Sequence, residues 1–167
     1  GFHTGHARTS ANEGLLYPED LTVAELLRGA GYTTVGVGKW AMGDPGTTGL
    51  PNLKGFDHWF GYLNQTHAHT YYPVFLWQNN TMRWFRSNFE CRKAVYSHDL
   101  FTEEALQFIE DNQSFPFFLY LAYTIPHANN ELFEVTDNGM EVPTDEPYSD
   151  EDWPQVERNF AAMVTRL

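Results

Sequence analysis

The segment Gly31–Gly43, with the sequence GYTTVGVGKWAMG, constrains the fold more than any other part of the chain. Residues 32–37 are mostly β-branched or aromatic, and such residues favour a strand that packs on a pleated sheet. Gly36 and Gly38 carry no side chain, so another backbone can approach the strand closely there. Lys39 follows where this strand should end. A single cation at a strand end among small residues suggests an anion site, and a solvated surface lysine is the alternative.

A helix is predicted immediately before this strand, over Asp20–Gly31. Thr22 and Glu25 have the spacing of a capping box, in which each side chain accepts a hydrogen bond from the other residue's backbone N–H. Leu21 and Leu26 have the spacing of the hydrophobic staple that accompanies such a cap. The predicted apolar face, at helical spacing, comprises Val23, Leu26, Leu27 and Ala30.

The second half of the chain repeats the order of helix and then strand. Residues 97–111 predict a helix with an apolar face of Phe101, Ala105, Phe108 and Ile109. Residues 115–122 form a continuous apolar run of the kind found in strands buried on both faces. Between the two units, residues 43–61 indicate irregular structure and residues 75–85 indicate a hairpin around 78–81. This order predicts an α/β fold with a parallel sheet.

The two ends of the chain carry weaker signals. Residues 1–17 show no periodicity and are interpreted as a loop. Residues 131–157 contain ten acidic residues and no Lys or Arg, which indicates a long surface loop. Trp153 and Pro154 open a last predicted helix. Its predicted buried side comprises Val156, Phe160, Met163, Val164 and Leu167.

The order of elements predicts where a ligand would bind. In open α/β sheets, ligands bind beyond the carboxyl ends of the strands. Lys39 follows the first predicted strand, and residues 124–130, which include His127, follow the last one. We therefore expect Lys39 and His127 at the same edge of the sheet.

Composition excludes several classes of protein. A length of 167 residues suits one domain, and a hydrophobic content of 42% with 16% aromatic residues indicates a folded chain. The formal charge of −12 argues against nucleic acid or an anionic membrane as a partner. No apolar run approaches the roughly 20 residues that span a bilayer. Cys91 is the only cysteine, so the chain has neither an internal disulfide nor a thiolate-rich metal site.

Several motifs, in this order along the chain, resemble those of the type I sulfatases, arylsulfatase-like enzymes of the alkaline-phosphatase superfamily. They are GKWAMG at 38–43, GFD at 55–57, GY at 61–62 and IPH at 125–127. Residues 1–6, GFHTGH, resemble the segment after the family's nucleophile motif, and residues 159–164, NFAAMV, resemble the helix before its later metal motif. The resemblance implies an alkaline-phosphatase-like α/β/α sandwich with a mostly parallel sheet, of which residues 1–167 form part of a single sulfatase catalytic domain.

The resemblance also implies a reaction, the hydrolysis of a sulfate ester, with a carbohydrate as the expected substrate. Family members use a formylglycine nucleophile, made from Cys or Ser in a C/S-x-P-x-R motif, beside a calcium ion. By resemblance, Lys39 contacts the sulfate and His127 lies near the sulfate and the leaving oxygen. A tetrahedral anion that gains charge on its bridging oxygen needs such cations and a proton donor. A periplasmic or secreted location is expected on the same basis.

The chain departs from the family pattern at one contact residue. Many members read G-K-W-H-x-G, and Ala41 stands at the position of the histidine. His67 and His69 are candidate replacements in substrate binding, and His69 is favoured. Two histidines at this spacing would share one face of a strand and bind a metal there, or they are ordinary loop residues. Arg8 is a further candidate for substrate contact, with a structural role as the alternative.

The family's nucleophile and metal motifs do not occur in these 167 residues. Neither Cys91 nor Ser10 lies in a C/S-x-P-x-R motif, and the paired metal ligands of the family would lie before Gly1 and after Leu167. We therefore expect a central piece of a sulfatase, inactive alone, with no metal ligands of its own and with calcium bound by the full-length enzyme. The alternatives are a phosphoester or phosphonate hydrolase of the same superfamily and a catalytically inactive anion-binding module.

Overall fold

The computed structural model describes residues 14–167. Its five strands are β1 (Thr33–Lys39), β2 (His58–Tyr62), β3 (Phe75–Gln78), β4 (Thr81–Trp84) and β5 (Phe117–Ala122). Its helices are α1 (Val23–Gly29), α2 (Ser97–Asn112), α3 (Asn130–Thr136) and α4 (Gln155–Thr165). Three short 3₁₀ helices lie at Pro51–Lys54, His67–His69 and Arg86–Cys91.

The strands form one mixed sheet in the order β4-β3-β2-β1-β5. β1 lies between two parallel neighbours, with Lys39 opposite Tyr62 of β2 and Gly38 opposite Ala122 of β5. β3 and β4 add an antiparallel hairpin, as predicted. The expected α/β architecture is confirmed. The prediction of irregular structure up to residue 61 is wrong, since β2 lies there and its aromatic residues suit the sheet.

Two glycines determine how closely β1 packs. A Cβ atom on Gly36 would lie 2.6 Å from the indole ring of Trp59, so the missing side chain is what admits that ring. Gly38 has a φ angle of 111°, and a Cβ atom there would lie 2.0 Å from the carbonyl oxygen of Ala122. The predicted close backbone approach is confirmed at Gly38, where it holds β1 against β5 directly before Lys39, whereas at Gly36 the close neighbour is a side chain.

The sheet has a hydrophobic cluster on each face. Under α2, the fully buried side chains include Val35, Val37, Phe60 and Phe101. On the opposite face, Ala24 of α1 packs in a cluster with Trp40, Phe56 and Trp59. Helices therefore cover both faces of the sheet, which matches the predicted sandwich.

Helix α1 confirms its predicted cap but not its predicted buried face. Glu25 N–H donates to Thr22 Oγ1 at 3.1 Å, and Thr22 N–H donates to Glu25 Oε2 at 2.8 Å. Val23 and Leu26 are each 57% exposed, whereas Ala24 is fully buried. The helix therefore contacts the opposite-face cluster through a small residue, Ala24, and not through its large apolar side chains.

Strand β5 is not buried on both faces, contrary to the prediction from its apolar run. It is the last strand in the order of the sheet, and Tyr120 and Leu121 are 37% and 38% exposed. An apolar run indicates a strand, but its burial depends on which elements cover it.

The acidic segment is also more ordered than predicted. Helix α3 lies within it, and Asn129 caps that helix by accepting a hydrogen bond from Leu132 N–H at 3.0 Å. Helix α4 follows Pro154 as predicted, and Met163 on it is fully buried. Phe160, Val164 and Leu167 are at least 41% exposed, so the predicted buried side of this helix is wrong for those three residues. Within residues 14–167, no helix combines the length and the apolar character needed to cross a bilayer.

Candidate active site

The candidate site residues follow the carboxyl ends of the three parallel strands. Lys39 ends β1, the 3₁₀ helix His67–His69 follows β2, and His127 lies in the loop after β5. β1 and β5 are hydrogen-bonded neighbours that run in the same direction. The structure therefore confirms that the strands preceding Lys39 and His127 end at one edge, while the roles of the two side chains remain predictions.

Lys39 is a half-buried cation. Partial burial lowers the pKa of its ammonium group below the ordinary lysine value, because the charged form loses hydration. Among residues 14–167, no carboxylate forms an ion pair with it. An ammonium group that has lost hydration and has no counterion in this part of the chain favours an anionic ligand.

His127 is held through its backbone and one ring nitrogen. Its N–H donates to Thr124 O at 3.1 Å, and the Tyr71 hydroxyl donates to its carbonyl oxygen. Its Nδ1 lies 2.6 Å from Ala128 O. A carbonyl oxygen only accepts, so Nδ1 carries a proton. Burial raises the pKa of Tyr71, which keeps that hydroxyl neutral.

His69 lies against His127 and is almost fully buried. The two rings are stacked with centroids 5.1 Å apart and an angle of 12° between their planes. His69 Nδ1 lies 2.9 Å and 3.3 Å from the two carboxylate oxygens of Glu131. His69 Nε2 is buried and has no hydrogen-bond partner among the described residues. The structure thus brings together His127 and the histidine favoured from the sequence.

His67 lies in a different environment. Its ring packs 4.9 Å from the Tyr62 ring and 4.5 Å from the Phe75 ring, measured between centroids. Burial lowers its pKa to about 4. The two histidines lie on a 3₁₀ helix and not on a strand, so the shared strand face required for a metal site is absent. The contacts of His67 are those of a neutral ring in a hydrophobic core.

Ala41, at the position of the family histidine, borders a small cavity. Its φ angle is 61°, an uncommon value for a residue other than glycine. The cavity measures about 80 Å³ and is lined by Leu15, Ala41, Gly43, Asp44, Thr47 and Leu63. The cavity therefore lies beside the position at which the motif departs from the family pattern. Arg8, the remaining candidate, lies outside the described residues.

The described residues do not fit a metal site. In the part of the chain from residue 14 onward, no group of three or more His, Cys, Asp or Glu side chains lies close enough to hold a metal ion.

Sequence reasoning missed Glu131 and Tyr71. The acidic stretch predicts a surface loop at Glu131, and no sequence motif singles out Tyr71. The local signal for Glu131 was the helix cap at Asn129, which places Glu131 in the first turn of α3. No local pattern indicates the role of Tyr71, because its hydroxyl contacts a loop that is distant in sequence.

The fold and this edge define an alkaline-phosphatase-like α/β protein with cationic and imidazole side chains beyond its parallel strands. The family model described as Sulfatase matches residues 2–165. The chain belongs to the sulfatase family.

Two relatives support the assignment. The arylsulfatase of Hemicentrotus pulcherrimus is 36% identical over 139 residues, which cover 71% of this chain and 23% of the relative. The N-acetylgalactosamine-6-sulfatase of Sus scrofa is 34% identical over 146 residues, which cover 77% of this chain and 27% of the relative. The chain thus spans about a quarter of the length of these relatives.

Among solved structures, the crystal structure of Ps i-CgsB shares the fold. The TM-score is 0.71 with 24% sequence identity, and the match covers 91% of this chain and 35% of that chain. This likeness agrees with the sandwich architecture predicted from the sequence motifs.

Proposed function

We propose that this chain forms the sulfate-binding edge of a sulfatase that hydrolyses a sulfate ester on a carbohydrate. One observation carries the proposal. A half-buried lysine with no carboxylate partner among the described residues and a stacked histidine pair follow adjacent parallel strands in a chain of the sulfatase family.

These side chains suit the charge changes of the reaction. The sulfate group is a tetrahedral anion, and cleavage places further negative charge on the bridging oxygen. Lys39 offers a fixed positive charge to the sulfate oxygens, and electrostatic groups of this kind lower the barrier most when they are held in place beforehand. His127, tied at Nδ1 to Ala128 O, offers Nε2 as the position from which a proton reaches the leaving oxygen.

The nucleophile is proposed to come from another part of a longer polypeptide. The 167 residues contain no C/S-x-P-x-R motif from which a formylglycine could form, and the described residues contain no metal site. A formylglycine and a calcium ion are therefore proposed as properties of the longer enzyme. The purified chain is expected to leave aryl sulfates intact, and rapid release of sulfate by it would contradict this arrangement.

A carbohydrate substrate is supported by two observations. The Sus scrofa relative is named for a sulfated sugar, N-acetylgalactosamine 6-sulfate. Trp84 is 54% exposed, packs 5.2 Å from the Phe75 ring and ends β4, which runs in the same direction as β1. An exposed indole at this edge can stack on the apolar face of a sugar ring.

The first test measures binding of inorganic sulfate to the purified chain by isothermal titration calorimetry. Lys39→Gln is expected to weaken sulfate binding by about tenfold or more, since a hydrogen bond to a charged group contributes about 1.5–3 kcal/mol. Arg28→Gln is the matched control. It removes the same charge from an exposed position at the end of α1.

Two results would overturn the proposal. If Lys39→Gln and Arg28→Gln weaken sulfate binding equally, the effect is one of net charge and not of a site. If inorganic phosphate binds the unmodified chain far more tightly than sulfate under the same conditions, the edge serves a phosphoester hydrolase instead.

A further inference from the structure

The side chain of Glu131 contacts one of the two ring nitrogens of His69. Both carboxylate oxygens of Glu131 approach His69 Nδ1, at 2.9 Å and 3.3 Å. Desolvation acts to raise the pKa of Glu131, but hydrogen bonds from its own backbone N–H and from His69 lower it overall. The carboxylate is therefore ionised near neutral pH and can only accept. His69 Nδ1 must donate, so the proton of the neutral ring lies on Nδ1.

This assignment leaves Nε2 of the neutral His69 ring with a lone pair. His69 is only 8% exposed, and its Nε2 atom is buried without a hydrogen-bond partner among the described residues. An unsatisfied buried nitrogen costs free energy, which the structure recovers only when something binds there. A lone pair repels a sulfate oxygen. Nε2 can bind an anion only after the ring takes up a second proton.

The stacked partner has the same proton arrangement. His127 Nδ1 is also a donor, to Ala128 O at 2.6 Å, so its neutral ring too has a lone pair on Nε2. Two parallel imidazolium rings with centroids 5.1 Å apart repel each other. An anion that accepts from both Nε2 atoms removes that repulsion, and the Glu131 carboxylate already balances one of the two charges.

We propose that Glu131, His69 and His127 form a proton-linked anion clamp, in which Glu131 is a positioning residue. This proposal rests on the proposed function. Sulfate binding is accompanied by proton uptake at Nε2 of His69 and His127. The clamp therefore selects the oxygens of a tetrahedral anion more strongly in mild acid than in mild base.

The titratable groups that face the pair come from three elements. Glu131 lies on α3, His127 lies on the loop before that helix, and Tyr71 lies on the segment between the 3₁₀ helix of His69 and β3. Tyr71 stays neutral because burial raises its pKa. Among the described residues, Glu131 is therefore the charged group in contact with the pair.

The test reads the protons directly by nitrogen-15 NMR of the histidine rings in the purified chain, without added ligand. His69 is expected to show a protonated Nδ1 and an unprotonated Nε2 at about pH 8. Glu131→Ala is expected to move the proton of the neutral ring to Nε2. Glu134→Gln, an exposed change on the same helix, is the control and leaves the ring signals unchanged.

The second arm adds inorganic sulfate and follows the ring signals from about pH 6 to about pH 8. As the pH rises, the affinity for sulfate is expected to fall by up to about tenfold per pH unit for each proton taken up on binding. Glu131→Gln keeps an acceptor for His69 Nδ1 but loses the negative charge. The affinity of this variant for sulfate at the lower pH is expected to be about two- to fivefold weaker, which is the range for a partly exposed ion pair.

Either arm can overturn the clamp. A proton on Nε2 of His69 in the unmodified, ligand-free chain contradicts it, whatever the outcome of the sulfate experiments with Lys39. A sulfate affinity that does not depend on pH contradicts the proton linkage but leaves the sulfate site itself intact. Loss of sulfate binding at every pH, together with the expected protonation states, contradicts the proposed function instead.

Discussion

His67 and His69 begin and end the same three-residue 3₁₀ helix, but their rings lie in opposite environments. The aromatic pocket is defined by Tyr62 and Phe75, which contact His67, and by Phe101, which packs on Tyr62. Burial in this pocket lowers the pKa of His67 to about 4. The clamp holds His69 between a carboxylate and a second imidazole, with one nitrogen unsatisfied.

The two rings contribute differently, since His67 is expected to stabilise the fold and His69 to bind the ligand. In the aromatic pocket, a neutral ring contributes by packing, and charging it opposes folding. In the clamp, burial without a complete set of hydrogen bonds costs stability and creates a place for a ligand. Neighbouring positions in one short helix therefore serve the core and the site.

The largest expected effect comes from breaking the aromatic pocket. Phe101 is fully buried and packs 5.6 Å from the Tyr62 ring, between centroids. Phe101→Ala is expected to lower the free energy of unfolding by about 3–5 kcal/mol, through lost transfer energy and the cavity left behind. Urea unfolding followed by circular dichroism measures this change. Leu106→Ala, 62% exposed on the same helix, is the control and should change it by less than about 1 kcal/mol.

The second effect is a loss of stability in acid. His67 has an ordinary pKa of 6.5 and a folded-state pKa of about 4, because burial favours its neutral form. The unfolded chain therefore binds more protons between these values, so the stability from His67 is complete above pH 6.5 and is lost as the pH falls towards 4. The loss is at most about 3.5 kcal/mol, at about 1.4 kcal/mol per pKa unit over the interval from 6.5 to about 4.

His67→Phe tests this assignment, because it keeps an aromatic ring beside Tyr62 and Phe75 but cannot take up a proton. The variant should lose less stability than the unmodified chain between pH 6.5 and 4, as measured by urea unfolding at a series of pH values. Parallel losses in both proteins would show that other groups dominate acid unfolding.

The smallest effect on stability is expected at the clamp. His69→Gln should change the free energy of unfolding by less than about 1 kcal/mol, because the hydrogen bond that the neutral His69 ring donates to the exposed Glu131 carboxylate contributes little and a Gln side chain can still donate there. The same change should weaken sulfate binding about tenfold, through the loss of a charge-assisted hydrogen bond. A large loss of stability with unchanged sulfate binding would reverse the roles assigned to the two histidines.

Local patterns predicted much of this molecule. The capping box at Thr22, strand β1, the β3–β4 hairpin and helix α2 each depend on neighbours in sequence, and each is confirmed. Strand β2 and helix α3 were missed because loop-forming and acidic residues surround them. The burial of β5 was overestimated because an edge strand and a central strand can have the same apolar sequence.

The amino-acid sequence by itself determined the family, the α/β class and the strand ends that carry Lys39 and His127, since motif spacing and periodicity are local properties of the chain. Tertiary structure alone decided that His69, and not His67, lies against His127 and Glu131. His69 and Glu131 are 62 positions apart, and their contact exists only because the loops after β2 and β5 meet beyond the sheet. The order of strands in the sheet brings these two loops together, and no short sequence pattern encodes that order. The different environments of His67 and His69 follow from it.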